Sequence, residues 1–234
     1  MTARGKLIVA ACVLALAPMD MRAMAAGSVT VPGAFGGLKV AVSSMQDLRF
    51  RGVVRQQYDF SCGSAVIATL LTHHYGIETT ESDAFARMYA VGDQERIRQQ
   101  GFSMLDMKRY LSELGLQANG YRLSLELLEE LGVPAIALIE TKGYRHFVLI
   151  KGIRGDRVLV GDPAFGLSSH SRREFESLRS NDILFLLRDR ADVGRASFSD
   201  TKEWAAVAQA PVESGLARDS LASFTLALPR SSDW

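Results

Sequence analysis

The run from Cys62 to Tyr75 constrains this chain more than any other segment. Ala65, Val66, Ile67, Ala68, Leu70 and Leu71 are apolar around most of the circumference of a helix. A helix with no broad polar face has nowhere to put water, so it must lie at the centre of the molecule with other elements packed around it. Gly76 is a natural stop, because glycine adopts the left-handed conformation that ends many helices. Any fold for this chain therefore has to be built around residues 62–75.

The flanking sequence supplies the wrapping. Thr80 or Ser82 can cap a second helix running to about Tyr89. Gly92 to Gln100 is polar and reads as a loop or a short helix. Ser103-Met104-Leu105-Asp106 has the form of a capping box, with Asp in the place of Glu, and opens a helix through Leu114 that Gly115 closes. Ser124 caps a short helix over 125–131, ended by Gly132-Val133-Pro134. Strands dominate from there on: residues 135–140, 145–151, 157–161 and 183–187 are short, apolar and rich in branched side chains, with glycine-containing turns between them. Helices first and antiparallel strands second make an α+β layout, with helices packed on one sheet. Residues 26–50 read as a lead-in, with a short strand over 38–42, and 51–190 as the main domain. Residues 191–234 form a tail that packs on the domain or binds elsewhere, with a helix over 202–209 and a strand around Phe224, Leu226 and Leu228.

The N-terminus reads as a secretory signal. Arg4 and Lys6 precede an apolar run from Leu7 to Ala17, too short to span a membrane, and Ala23-Met24-Ala25 is a small-x-small cleavage site. Cleavage after Ala25 removes three positive charges and one negative from a chain of net charge +1, which leaves the mature protein near −1. A periplasmic location follows, with no stable membrane span in the mature chain. The near-neutral balance, without blocks of like charge, gives no basis for a nucleic-acid partner. No GxxxxGK[ST] or GxGxxG pattern supports a nucleotide, and no HExxH or second cysteine supports zinc.

Cysteine use points to chemistry. Cys12 lies in the signal, so Cys62 stands alone and cannot form an internal disulfide. Free thiols outside the cytoplasm are exposed to oxidation, and one retained there is a candidate nucleophile. A thiol nucleophile needs a base, a group that orients the base and a donor for the oxyanion. Cys62 at the first position of a buried helix meets unpaired amides that favour the thiolate, and Gly63 after it leaves room for a substrate backbone. His146 opens an apolar strand beside a glycine turn. Asp162 follows sixteen residues on, between Gly161 and Pro163, at the end of the next strand. Two antiparallel strands joined through residues 152–156 would bring His146 and Asp162 to the same end of the sheet, where the carboxylate can fix the imidazole tautomer. In isolation Asp162 is equally explained as an Asx turn before proline. Gln56 and Gln57 compete for the oxyanion role, and spacing favours Gln56. His73 and His74 are neighbours on a helix and point in different directions, a poor metal pair. No metal or cofactor is needed for the chemistry these residues offer.

Four segments together resemble the bacteriocin-processing cysteine peptidases, the double-glycine leader peptidases of the papain clan. They are Gln56-x5-Cys62-Gly63-Ser64-Ala65, Gly101-Phe102-Ser103-Met104-Leu105-Asp106-Met107, His146-Phe147-Val148-Leu149-Ile150, and Val160-Gly161-Asp162-Pro163-Ala164-x-Gly166. The resemblance covers residues 50–190. It implies a papain-like fold, a triad of Cys62, His146 and Asp162, Gln56 as oxyanion donor, and cleavage of a peptide bond, commonly after Gly-Gly in a leader. Many members are the N-terminal domain of an export ATPase, whereas this chain carries neither a membrane domain nor a nucleotide site. It is similar to the stand-alone periplasmic branch, which includes peptidases encoded with functional-amyloid secretion systems. The implied partners are a peptide or protein substrate and a secretion-system component. Two other readings of the residues stay open: a non-catalytic module whose peptidase-like cleft holds an export client, and a cysteine transpeptidase or amidase acting on cell-wall peptide.

Overall fold

The computed structural model describes residues 27–31, 38–42, 48–58, 60–141 and 143–207. The signal segment, the last two residues of the 202–209 helix and the strand expected around Phe224 lie outside the described residues. The chain divides into two compact units between Ser44 and Met45. In the first unit, strand β1 (Gly27–Val31) pairs antiparallel with β2 (Leu38–Val42), Gly27 facing Val42 and Val31 facing Leu38.

The second unit is built around α1 (Cys62–His74). Every residue from Cys62 to Leu71 is buried, as its all-round apolar sequence requires. At about 1.5–3 kcal/mol for each fully buried Val, Leu or Ile side chain, this helix is a principal source of cohesion. Three helices pack beside it: α2 (Glu81–Val91), α3 (Gln94–Gln100) and α4 (Met104–Glu113). The local signals that set their limits are all present. Thr80 Oγ1 accepts from the Asp83 N–H at the start of α2. Asp93 does the same for Arg96 at the start of α3, which settles the ambiguous 92–100 segment as a helix. At α4 the capping box is complete: the Asp106 N–H donates to Ser103 Oγ at 3.3 Å and the Ser103 N–H to Asp106 Oδ2 at 2.9 Å.

The remainder forms one antiparallel sheet of six strands in the order β3-β8-β4-β5-β6-β7. The strands are β3 (Ala118–Arg122), β4 (Ala135–Thr141), β5 (Tyr144–Arg154), β6 (Arg157–Asp162), β7 (Gly166–Ser171) and β8 (Arg179–Leu187), with α5 (Leu125–Leu131) and α6 (Arg172–Leu178) between them. β3, β7 and α6 were not expected from the sequence, and β5 and β8 are longer than expected. The α+β class and its order, helices then antiparallel strands, hold. The sheet, however, is covered on both faces. Ile136, Phe147, Leu149, Phe185 and Leu187 pack with α1, α2 and α4. Ala135, Ala137, Val148, Ile150, Val158, Val160, Leu184 and Leu186 pack with Leu125 and Leu128 of α5 and Phe175 of α6. Burial on both faces explains why the central strands read as continuous apolar runs without alternation.

Two short helices follow the sheet, α7 (Ala191–Ser197) and α8 (Thr201–Val207). Ser197 Oγ lies 2.8 Å from His74 Nδ1, tying α7 to the end of α1. Glu203 of α8 pairs with Lys151 of β5 at 2.8 Å. Among the described residues, no helix is long and apolar enough to cross a membrane.

Candidate active site

The hairpin of β5 and β6 determines which side chains meet. Leu149 pairs with Gly161 and Ile150 with Val160. Continuing that register sets Asp162 opposite Val148, diagonal to His146 and on the same face. Diagonal neighbours on one face are within reach of longer side chains. Accordingly, His146 Nε2 lies 2.8 Å from Asp162 Oδ2, and both residues are buried. The strands turn at 155–156, later than the 152–156 turn expected, and a bulge between Ile150 and Gly152 absorbs the offset.

Asp162 serves both readings that its sequence allowed. Oδ1 accepts from the backbone N–H of Ala164 at 2.8 Å and of Phe165 at 3.3 Å, an Asx turn after the strand. Oδ2 is left for the imidazole. The turn therefore fixes the carboxylate plane that orients the ring. A carboxylate oxygen accepts, so the ring nitrogen facing it is the donor, and in that tautomer of the neutral ring the lone pair lies on Nδ1. Nδ1 is buried and has no hydrogen-bond partner among the described residues. A buried polar atom left open in this way is unusual and calls for an explanation.

Cys62 occupies the first position of α1, after Ser61, whose side chain makes no cap bond to the helix and instead holds the Tyr58 backbone. Cys62 and His146 line one cavity of about 510 Å³, with Phe60, Gln99, Gln100, Gly101, Phe102, Leu138, Tyr144, Arg145 and Phe147. Burial pushes the Cys62 thiol above its ordinary value. The backbone amides of Phe147 and Gly63 pull it down, and the negative charge of Asp162 adds to the rise. The balance differs from the thiolate-favouring environment expected of a helix N-terminus: desolvation outweighs the amides. Gly63 also has a different reason from the one expected. A Cβ there would come within 2.7 Å of Phe102 Cβ, so glycine is required for the close approach of the 101–103 segment to α1.

The two glutamines separate. Gln57 is exposed and its Nε2 donates to Ser82 Oγ at 3.2 Å. Gln56 is half-buried, its N–H donates to Pro163 O at 3.0 Å, and its Oε1 is buried without a partner among the described residues. Its backbone is thus fastened to the residue after Asp162. Gln99 and Gln100 at the end of α3, together with Tyr144, were not singled out from the sequence, whereas Gly101 and Phe102 belong to a segment that carried the family resemblance. Gln99 and Gln100 look like solvated surface, and only their placement over the start of α1 makes them lining residues.

Residues 51–191 match the Peptidase C39 family. The chain belongs to the Peptidase C39 family. It is a cysteine peptidase, and its α+β, papain-like fold class is the one its sequence motifs implied. Relatives bear the assignment out along most of this region. A protein named probable functional amyloid protease FapD, from Pseudomonas aeruginosa, is 44% identical over 163 residues, which cover 69% of this chain and 71% of that protein. The protein of the same name from Pseudomonas fluorescens is 39% identical over 152 residues, covering 64% and 67%. The sublancin-168-processing and transport ATP-binding protein SunT of Bacillus subtilis is 29% identical over 138 residues, 56% of this chain but 18% of that longer protein. Within the matched residues, Cys62 starts the central helix and the His146–Asp162 pair lies on the β5–β6 hairpin.

Proposed function

We propose that this chain is a periplasmic cysteine endopeptidase that processes an exported peptide or protein, with Cys62 as nucleophile, His146 as acid and base, Asp162 as the group orienting His146, and Gln56 as oxyanion donor. The observation that carries this reading is the state of His146: Nε2 is held by Asp162, and the open Nδ1 belongs to a ring that shares one cavity with Cys62. Cys62 is also the sole cysteine within the family-matched residues.

Proton transfer from Cys62 to His146 Nδ1 gives a thiolate and an imidazolium. The thiolate sulfur attacks the scissile carbonyl, and the oxyanion is held by the Cys62 N–H and the Gln56 side-chain amide. Collapse of the tetrahedral intermediate breaks the C–N bond, and the imidazolium gives its proton to the leaving amine. Water, deprotonated by the now neutral imidazole, then attacks the thioester and releases the acid and the free thiol.

The export signal at residues 1–25 supports a periplasmic site of action. The relatives named functional amyloid proteases support a substrate that belongs to a functional-amyloid secretion system, and the wider family supports cleavage after a Gly-Gly-like site. The test is to incubate purified protein and its Cys62→Ala variant with exported proteins encoded beside its gene. Cleavage by the wild type alone is expected, with fragment masses that correspond to hydrolysis. Equal processing by both would end the proposal, and masses showing transfer to an amine would make the protein a transpeptidase.

A further inference from the structure

We infer that Tyr144 is a positioning residue for His146: its ring, stacked on the imidazole at the mouth of the cavity, holds the imidazole plane against rotation toward solvent and stabilises the charged form of the ring. The inference rests on the roles proposed above for Cys62 and His146.

Tyr144 and His146 are two apart on β5 and so lie on the same face of the strand. Their ring centroids are 5.4 Å apart and the planes are inclined by 25°, a near-parallel stack. Tyr144 is 49% exposed while His146 is 2% exposed, so the tyrosine occupies the solvent side of the pair. Both line the cavity that contains Cys62.

The His146–Asp162 bond alone leaves the imidazole one freedom. A single hydrogen bond at Nε2 permits the ring to swing about that contact, which changes where Nδ1 points within the cavity it shares with Cys62. A ring stacked on the imidazole face removes this freedom without occupying either nitrogen. The face of an aromatic ring also attracts a cation, so the imidazolium gains more from the stack than the neutral imidazole does. The other charged groups near the imidazole come from α1 and the surrounding strands. Asp162 lies on Nε2 from β6, Cys62 faces the cavity from α1, and Arg145 precedes His146 on β5 with Glu140 of β4 opposite it. Arg179 of β8 lies across β4 from His146, beyond Ile139, and is paired with Glu176. Arg145 and Glu140 are exposed, so the variants that keep a ring at position 144 are the controls that assign a shift in the pH behaviour of the pair to the stacked ring.

Iodoacetamide, which needs no substrate subsite, reads the thiolate–imidazolium pair directly in the full chain. Tyr144→Ala is expected to lower the alkylation rate of Cys62 near neutral pH by about fivefold, the scale of a cation–π contact. It should also move the alkaline limb of kcat/KM to lower pH. Tyr144→Phe and Tyr144→Trp keep a ring and should retain the wild-type rate. If Tyr144→Ala is alkylated at the wild-type rate and only KM rises, Tyr144 is merely a wall of the substrate cleft and the inference is overturned. A loss in Tyr144→Phe as large as in Tyr144→Ala would assign the effect to the hydroxyl and overturn it equally. His146→Ala separates this from the parent reading: wild-type alkylation of that variant at neutral pH would remove the ion pair itself, whatever Tyr144 does.

Discussion

Cys62 is held in an environment that resists its ionisation, and this decides how its reactivity must depend on pH. Burial raises the thiol above its ordinary value and the Asp162 charge raises it further, against the backbone amides of Phe147 and Gly63. A raised thiol pKa moves thiolate formation to higher pH. On the proposed mechanism, reactivity near neutrality rests on the proton passing to His146 within the cavity. In His146→Ala the alkylation rate at pH 7 should fall at least about tenfold, one pKa unit of lost thiolate stabilisation, and recover only above the ordinary thiol range. A profile of rate against pH checks this, and a neutral-pH rate equal to wild type would contradict it. Gln56, in the oxyanion role proposed for it, should behave differently, because such a donor acts on the transition state and not on the resting thiol. Gln56→Ala is expected to lower kcat by roughly 10²–10³ with alkylation unchanged. Gln57→Ala, whose side chain turns to Ser82, should leave both unchanged. Of these residues, His146 and Asp162 were legible as neighbours at one end of the sheet, because a hairpin joins their strands, whereas their diagonal register depends on the bulge between Ile150 and Gly152. The state of Cys62 was not, because helix position is visible in a sequence and desolvation is not.

Elements defined by local chemistry were legible, and those defined by their neighbours were not. The caps at Thr80, Ser103 and Ser124 and the stops at Gly76, Gly115 and Gly132 require only residues a few positions apart. β3 reads Ala-Asn-Gly-Tyr-Arg, a turn by its Asn-Gly, and β7 reads Gly-Leu-Ser-Ser-His-Ser. Both are edge strands, and each exists because a longer neighbour, β8 or β6, offers hydrogen bonds to it. The docking of α7 belongs to the same class. It hangs on His74, read from the sequence only as a poor metal ligand. Burial holds His74 well below the usual histidine range, with the Lys151 charge acting in the same direction, and its Nδ1 meets Ser197 Oγ. The folded chain therefore binds that proton less readily than the unfolded chain. This contribution to stability is present above the ordinary histidine value of about 6.5 and is lost as the pH falls below it. Urea denaturation at a series of pH values should show a stability slope between pH 7 and 5 that is shallower in His74→Asn, the difference approaching about 1.4 kcal/mol per pH unit. Parallel slopes in the two proteins would show that His74 does not carry the acid sensitivity.

The peptidase as a whole is larger than the region that defines its family. The match ends at residue 191, yet Lys151, in β5 of the site hairpin, is completely buried and completes its contacts beyond that point. Its Nζ donates to Gly52 O at 2.6 Å and pairs with Glu203 Oε1 at 2.8 Å. Burial pulls the ammonium below its ordinary value, and the Glu203 charge opposes that pull. A lysine at the end of a short apolar run reads as a strand terminus reaching solvent, and its partner lies 52 residues further on in a helix with no buried residues. For that reason the sequence indicated a helix near 202–209 without indicating what it does. A chain ending at Arg190 would leave the ammonium with one carbonyl, and removing one partner of a buried pair costs about 3–5 kcal/mol. That truncated chain should melt well below the full one, and its alkylation rate should fall as the β5 hairpin loosens. Lys151→Met distinguishes the charge from the packing lost with α7 and α8. In the truncated chain it should recover part of the melting temperature, since a thioether of similar length needs no counter-charge, while in the full chain it leaves the Glu203 carboxylate without its cation and should not stabilise. Equal melting temperatures for the full and truncated chains would show that the segment after Arg190 does not hold the domain together. A truncated chain whose stability Lys151→Met leaves unchanged would show that apolar packing, and not the buried pair, fastens α8 to the sheet.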